Sequence, residues 1–228
     1  MGRILANLIS YILHPLLMPT LLLLILLFFL PQSLQPVSGK IALMIILLVF
    51  ITTFIIPALS ILGLRSTMTI SSIKLRKRSE RVMPFTFITI FYGITTYLFH
   101  SKIEINDLIL TIFIAASLLV AALTVITVFF KISVHAAGAG CMVGFLLSIM
   151  LIFPEHGLMW TLVSIVLVAG IIMSARLYLD AHTPIEVYSG FALGLFISFF
   201  SLYFLYSRRG ELRSFTSLFD DRTIFESS

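Results

Sequence analysis

Seven stretches of this chain run almost free of charge, at 4–30, 41–64, 84–98, 108–130, 136–153, 158–174 and 186–206. An unbroken apolar run of about 18 or more residues is long enough to cross a hydrocarbon core of ~30 Å as a helix. A membrane barrel would instead alternate apolar and polar positions, and these segments do not. The pattern therefore predicts an all-α, polytopic transmembrane helical bundle of six or seven spans. His14-Pro15 interrupts the first segment, so the residues before Leu16 are expected along the interface and the crossing at 16–30. The third segment is short and is expected to thin the bilayer locally or to sit low in it. Residues 1–206 form one integral-membrane domain, and 207–228, the one stretch of soluble composition, a short polar tail.

Composition agrees with this pattern. The chain has 228 residues, of which 60% are hydrophobic and 11% charged. A soluble domain carries about a quarter charged residues. A lone cysteine, Cys141, excludes an intramolecular disulfide and a cysteine-based metal site. No cleavable signal peptide is expected, because the N-terminal apolar stretch lacks a small-residue cleavage site. If all seven segments cross, the N-terminus and loops 65–83, 131–135 and 175–185 share one face. That face holds nine of the 15 Lys and Arg residues and the other face six. Setting aside Lys74, Arg81 and Arg176 as ligand-binding leaves six on each, so the positive-inside rule does not fix orientation.

Three polar patches fall on that shared face. The first is K-L-R-K-R-S-E-R, Lys74 to Arg81, which suits either an anchor for acidic lipid headgroups or a clamp for phosphate. The second, K-I-S-V-H at Lys131 to His135, places Ser133 as a helix N-cap, and a helix N-terminus attracts anions. Gly140 and Gly144, just beyond, have the G-x-x-x-G spacing of closely packed membrane helices. The third patch runs from Ala175 to Gly190. In it Thr183-Pro184-Ile185-Glu186 fits a capping box, with proline at the first helical position. His182 directly precedes the box, and a carboxylate on one ring nitrogen would free the other to attack. Glu186 can serve the cap, the histidine or both. Asp180 reads as a solvated loop residue. On the opposite face, His100, Glu104, Asp107, Glu155 and His156 match no metal-binding spacing and read as interfacial polar residues.

Together the patches resemble the type 2 phosphatidic acid phosphatase superfamily, which includes membrane lipid phosphatases and vanadium haloperoxidases and has the motifs K-x6-R-P, P-S-G-H and S-R-x5-H-x3-D. Lys74 and Arg81 match the first, Ser133 and His135 the second, and Arg176, His182 and Glu186 the third, with glutamate in place of aspartate. Val82, Ile132, Val134 and Ala175 replace the remaining motif residues. The resemblance covers about half the chain. It implies a phosphatidic acid phosphatase type 2-like core, with the catalytic region at about 65–206.

The resemblance further implies an integral-membrane lipid phosphatase or diphosphatase. Its substrate would be a polyprenyl pyrophosphate, a phosphatidyl phosphate or a phosphorylated glycolipid. His182 would be the nucleophile, Glu186 would hold its ring, and His135 would be the general acid. Lys74, Arg81, Ser133 and Arg176 would bind the phosphate. No metal or other cofactor and no nucleic-acid partner is expected, since cationic side chains take the place of Mg²⁺. The implied location is a bacterial inner membrane, with the active site on the periplasmic face. The alternative is a catalytically impaired member of the fold that binds or moves lipid phosphates. A small transporter is disfavoured by the scarcity of charge inside the spans.

Overall fold

A computed structural model describes residues 2–30, 39–72, 75, 78–103, 105–154 and 157–223, with side chains described through Tyr206. Every regular element among them is helical: α1 (Gly2–Ile12), α2 (Met18–Phe29), α3 (Gly39–Phe50), α4 (Ile56–Ser66), α5 (Val82–Ser101), α6 (Asp107–Phe129), α7 (Val134–Ile152), α8 (Met159–Tyr178) and α9 (Pro184–Thr223). Seven helical stretches are long and apolar enough to cross a membrane. The protein is an integral-membrane helical bundle.

The first of these stretches, Gly2–Phe29, is broken as the His14-Pro15 pair requires. Proline pushes the preceding residue out of the α region, and His14 is extended, at φ −69° and ψ 136°. Its Nδ1 accepts the Leu16 amide at 3.3 Å, which caps a short 3₁₀ turn, Pro15–Leu17, leading into α2. The amphipathic α1 packs along α8 and the apolar α2 enters the core. A single π-helical turn, Ile51–Ile55, joins α3 to α4. Thr53 in that turn donates to the Leu16 carbonyl at 3.4 Å and to the Val49 carbonyl at 2.8 Å.

The third span is not short. It runs Ser79–Ser101, 23 residues, or about 35 Å at 1.5 Å per residue. Pro84 does not delay its start, because a first-turn amide has no partner inside the helix to lose. The backbone of α9 continues as helix beyond the apolar span, to Thr223.

Helix α7 is the most buried span, and it packs most extensively on α9. Two facing glycine pairs set that contact. A Cβ on Gly140 would collide with the Phe191 carbonyl, and one on Gly194 with the Ala137 carbonyl. Gly144 and Gly190 make similar approaches to Ser198 and to the Ser133 carbonyl. The second pair, Gly190 and Gly194, has the same spacing as the first. Small residues let membrane helices approach backbone to backbone, and here that closeness brings the N-terminal ends of α7 and α9 together.

Candidate active site

The junction of those two ends is the scaffold of the site. The Ser133 amide donates to the Glu186 carbonyl at 3.0 Å, and Ser133, fully buried, accepts the Ala136 amide at 3.5 Å as N-cap of α7. Each N-terminus presents unpaired amides and a partial positive charge.

On α9, Glu186 performs both tasks that its position allows, through one oxygen. Its Oε2 accepts His182 Nδ1–H at 2.7 Å and the Thr183 amide at 3.3 Å. Lys131 approaches the same oxygen at 3.9 Å and donates to the Ala181 carbonyl at 3.0 Å. The hydrogen bond places the His182 proton on Nδ1 and leaves Nε2 with its lone pair. Burial lowers the His182 pKa to about 4; Arg81 and Arg176 also lower it, and the bond to Glu186 opposes them. The ring is therefore neutral at neutral pH. It borders an open depression of about 450 Å³, whose walls include Lys131, Asp180 and Thr183.

Two arginines lie near enough to His182 to act on it electrostatically. Arg81 is 5% exposed. Its Nε donates to the Leu75 carbonyl at 2.8 Å and its Nη1 to the Ile132 carbonyl at 3.0 Å, tying the 65–81 loop to the start of α7. Leu75 adopts a left-handed backbone, φ 46°, within that loop. Arg81 is near enough to Glu186, Arg176 and His182 for their charges to act on one another. Arg176, in the last turn of α8, donates from Nη1 to Ser10 Oγ at 3.2 Å.

His135 lies in the first turn of α7, and its Nε2–H donates to the Ser10 carbonyl at 3.1 Å. Its ring stands edge-on to that of His14, with centroids 5.4 Å apart. Arg176, His14 and His182 all act on it electrostatically.

The structure thus gathers His135, His182, Glu186, Ser133, Arg81 and Arg176 at one place. Lys74 lies outside the described residues. Among the described residues no group of three His, Cys, Asp or Glu side chains is placed to hold a metal ion; Glu104, Glu155 and His156 lie outside them. Asp180 is exposed, as expected, and pairs with Arg3 at 3.2 Å.

Three contributors were not assigned from sequence. Lys131 belonged to a polar patch but had no role. Ser10 and His14 come from the N-terminal segment and reach α7 across more than a hundred residues of chain. The only local signal was the polar His14-Pro15 step inside an apolar run.

Comparison with protein-family models, with curated proteins and with solved structures finds no match.

Proposed function

We propose that this protein is a lipid phosphatase or diphosphatase of the type 2 phosphatidic acid phosphatase kind, with a core of that type. The observation that carries this reading is the His182–Glu186 hydrogen bond at 2.7 Å, within electrostatic reach of Arg81 and Arg176. It leaves Nε2 of a neutral imidazole free to attack, next to cations suited to the oxygens of a phosphoryl group.

The reaction follows from these positions. His182 Nε2 attacks phosphorus, a phosphohistidine forms, and the bond to the leaving oxygen breaks. His135, charged as an imidazolium once the anionic phosphate sits beside it, transfers its Nε2 proton to that oxygen and is left neutral. Water, with His135 now as base, then cleaves the phosphohistidine and releases phosphate. Glu186 stabilises the positive charge that grows on the attacking ring. It also offsets the positive end of α9, which by itself disfavours an imidazolium there. Arg81, Arg176 and the first amides of α7 neutralise the transferring group, with Lys74 as a further cation.

Ser10 has a defined place in this reading. Its carbonyl occupies the His135 Nε2–H donor and its hydroxyl the Arg176 Nη1 donor. In this reading a leaving oxygen and a phosphoryl oxygen would take over these two donors, so substrate would displace Ser10 from them.

The test is phosphate release from a panel of lipid phosphates and pyrophosphates by the detergent-purified protein in EDTA. Wild type should release phosphate, His182→Ala should not, and His135→Ala should fall roughly 10²–10⁴-fold. Release from no lipid, with phosphate-dependent binding retained, would instead establish a binding protein.

A further inference from the structure

Lys131 has no step in the chemistry above, yet it meets the support of His182 at two points. We propose that it is a positioning residue of the reaction, bracing the nucleophile through the Ala181 carbonyl and the Glu186 carboxylate. The role rests on the reading of His182 as the nucleophile.

The brace starts from a fixed base. Directly after Lys131, the Ile132 carbonyl accepts from Arg81 Nη1 at 3.0 Å and the Ser133 amide donates to the Glu186 carbonyl at 3.0 Å. Both residues are buried. From that base the Lys131 side chain spans to the loop between α8 and α9 and donates to the Ala181 carbonyl at 3.0 Å. Ala181 directly precedes His182. It follows Asp180, whose backbone is left-handed at φ 51°, so a tight turn sets the direction in which the imidazole departs. Holding the Ala181 carbonyl therefore holds the ring from the backbone side.

The carboxylate side is held in the same way. Glu186 reaches His182 Nδ1 through three rotatable side-chain bonds, so its carboxylate needs further contacts to stay on the ring. The Thr183 amide, at 3.3 Å, and Lys131 Nζ, at 3.9 Å, supply them at the same Oε2. At that distance the ammonium acts on the carboxylate as a charge and not as a hydrogen-bond donor. The other charged or titratable groups acting on the pair are Arg81, Arg176 and His135. Asp180 shares the depression with Lys131 but pairs with Arg3 at 3.2 Å, so it does not draw the ammonium away from Glu186. A part-exposed ion pair adds little to stability, whereas a ~1 Å displacement near a reacting group costs up to ~10²-fold in rate. The brace acts on kcat.

Lys131→Met keeps the stem and removes the charge and the donors, while Lys131→Arg keeps all of them. Phosphate release by the detergent-purified full chain should show kcat down about 10- to 100-fold in Lys131→Met, with KM unchanged. Lys131→Arg should restore most of it, and thermal unfolding of both should stay close to wild type. Lys131→Gln, also neutral, repeats the comparison. A second readout needs no turnover. In proton NMR of the same sample, His182 Nδ1–H on its carboxylate should give a downfield ring-proton resonance that His182→Gln lacks. It should broaden and move upfield in Lys131→Met and persist in Lys131→Arg. A wild-type kcat in Lys131→Met overturns the brace. So does a raised KM at constant kcat, which makes Lys131 a substrate contact instead. Loss of the resonance in Lys131→Met, with no lipid phosphate hydrolysed by wild type, sustains the brace on His182 and overturns the phosphatase. Hydrolysis by wild type, with the resonance unaltered in Lys131→Met, does the reverse.

Discussion

Glu186→Gln separates the two tasks that converge on one carboxylate oxygen. The substitution keeps the shape and the acceptor and removes the charge. Glutamine is accepted at the third position of a capping box, so the Thr183 amide keeps its partner and the start of α9 stays formed. The 2.7 Å bond from His182, however, changes from charge-assisted to neutral. Hydrogen bonds to charged groups contribute ~1.5–3 kcal/mol and neutral ones ~1 kcal/mol. The full ionic contribution acts only when the ring turns positive during attack. We therefore expect Glu186→Gln to lower kcat by about 10- to 100-fold with KM nearly constant and thermal stability within about 1 kcal/mol of wild type. Glu186→Ala should lose the same catalysis and, in addition, ~1 kcal/mol of stability from the lost cap. The assay is phosphate release over a substrate range, paired with thermal unfolding in the same detergent. A kcat within twofold of wild type for Glu186→Gln would refute the role assigned to the carboxylate. Equal losses for both variants in stability would refute the separation.

Other outcomes follow from the same geometry. Because burial depresses the His182 pKa to about 4 from an ordinary 6.5, the unfolded chain binds the proton first as pH falls. Stability should thus be lost between about pH 6.5 and pH 4, by ~3 kcal/mol at most. His182→Gln should abolish that component, and an unchanged acid slope would contradict it. Gly194→Ala drives a Cβ into the Ala137 carbonyl and should cost about 3 kcal/mol or more. Gly170→Ala, which meets nothing within 4 Å, should be neutral or up to ~1 kcal/mol stabilising by helix propensity. Thermal unfolding of the two distinguishes packing from a general intolerance of substitution. Ser10→Ala frees the Arg176 Nη1 donor and should tighten binding of inorganic phosphate about fivefold, worth ~1 kcal/mol. Titration calorimetry showing no change would remove Ser10 from the site.

The seven spans were legible because an apolar run reports its own length, and helix is the form in which a single segment satisfies its own backbone in lipid. The boundary of α5 was not, since Pro84 and the polar residues before it look like a break, yet a proline in the first turn breaks nothing. Arg81, His135, His182 and Glu186 could be placed together by loop parity alone. What parity could not show is that Glu186 Oε2 is shared, because capping and histidine-holding call for the same residue at the same spacing. Ser10 and His14 were hidden for a different reason. Their approach to α7 depends on the path of α1 across α8, which no local spacing records. The facing glycines of α9 were legible in principle: Gly190 and Gly194 repeat the spacing of Gly140 and Gly144, and only the α7 pair drew a reading.

The central claim is that His182 Nε2 attacks phosphorus. Mixing the protein in EDTA with a radiolabelled lipid phosphate and quenching within one turnover should trap a phosphoryl group that is stable in base and labile in acid. Peptide mapping should locate it on His182, and His182→Ala should carry none. Label on another residue, or phosphate release that survives His182→Ala, would contradict the account.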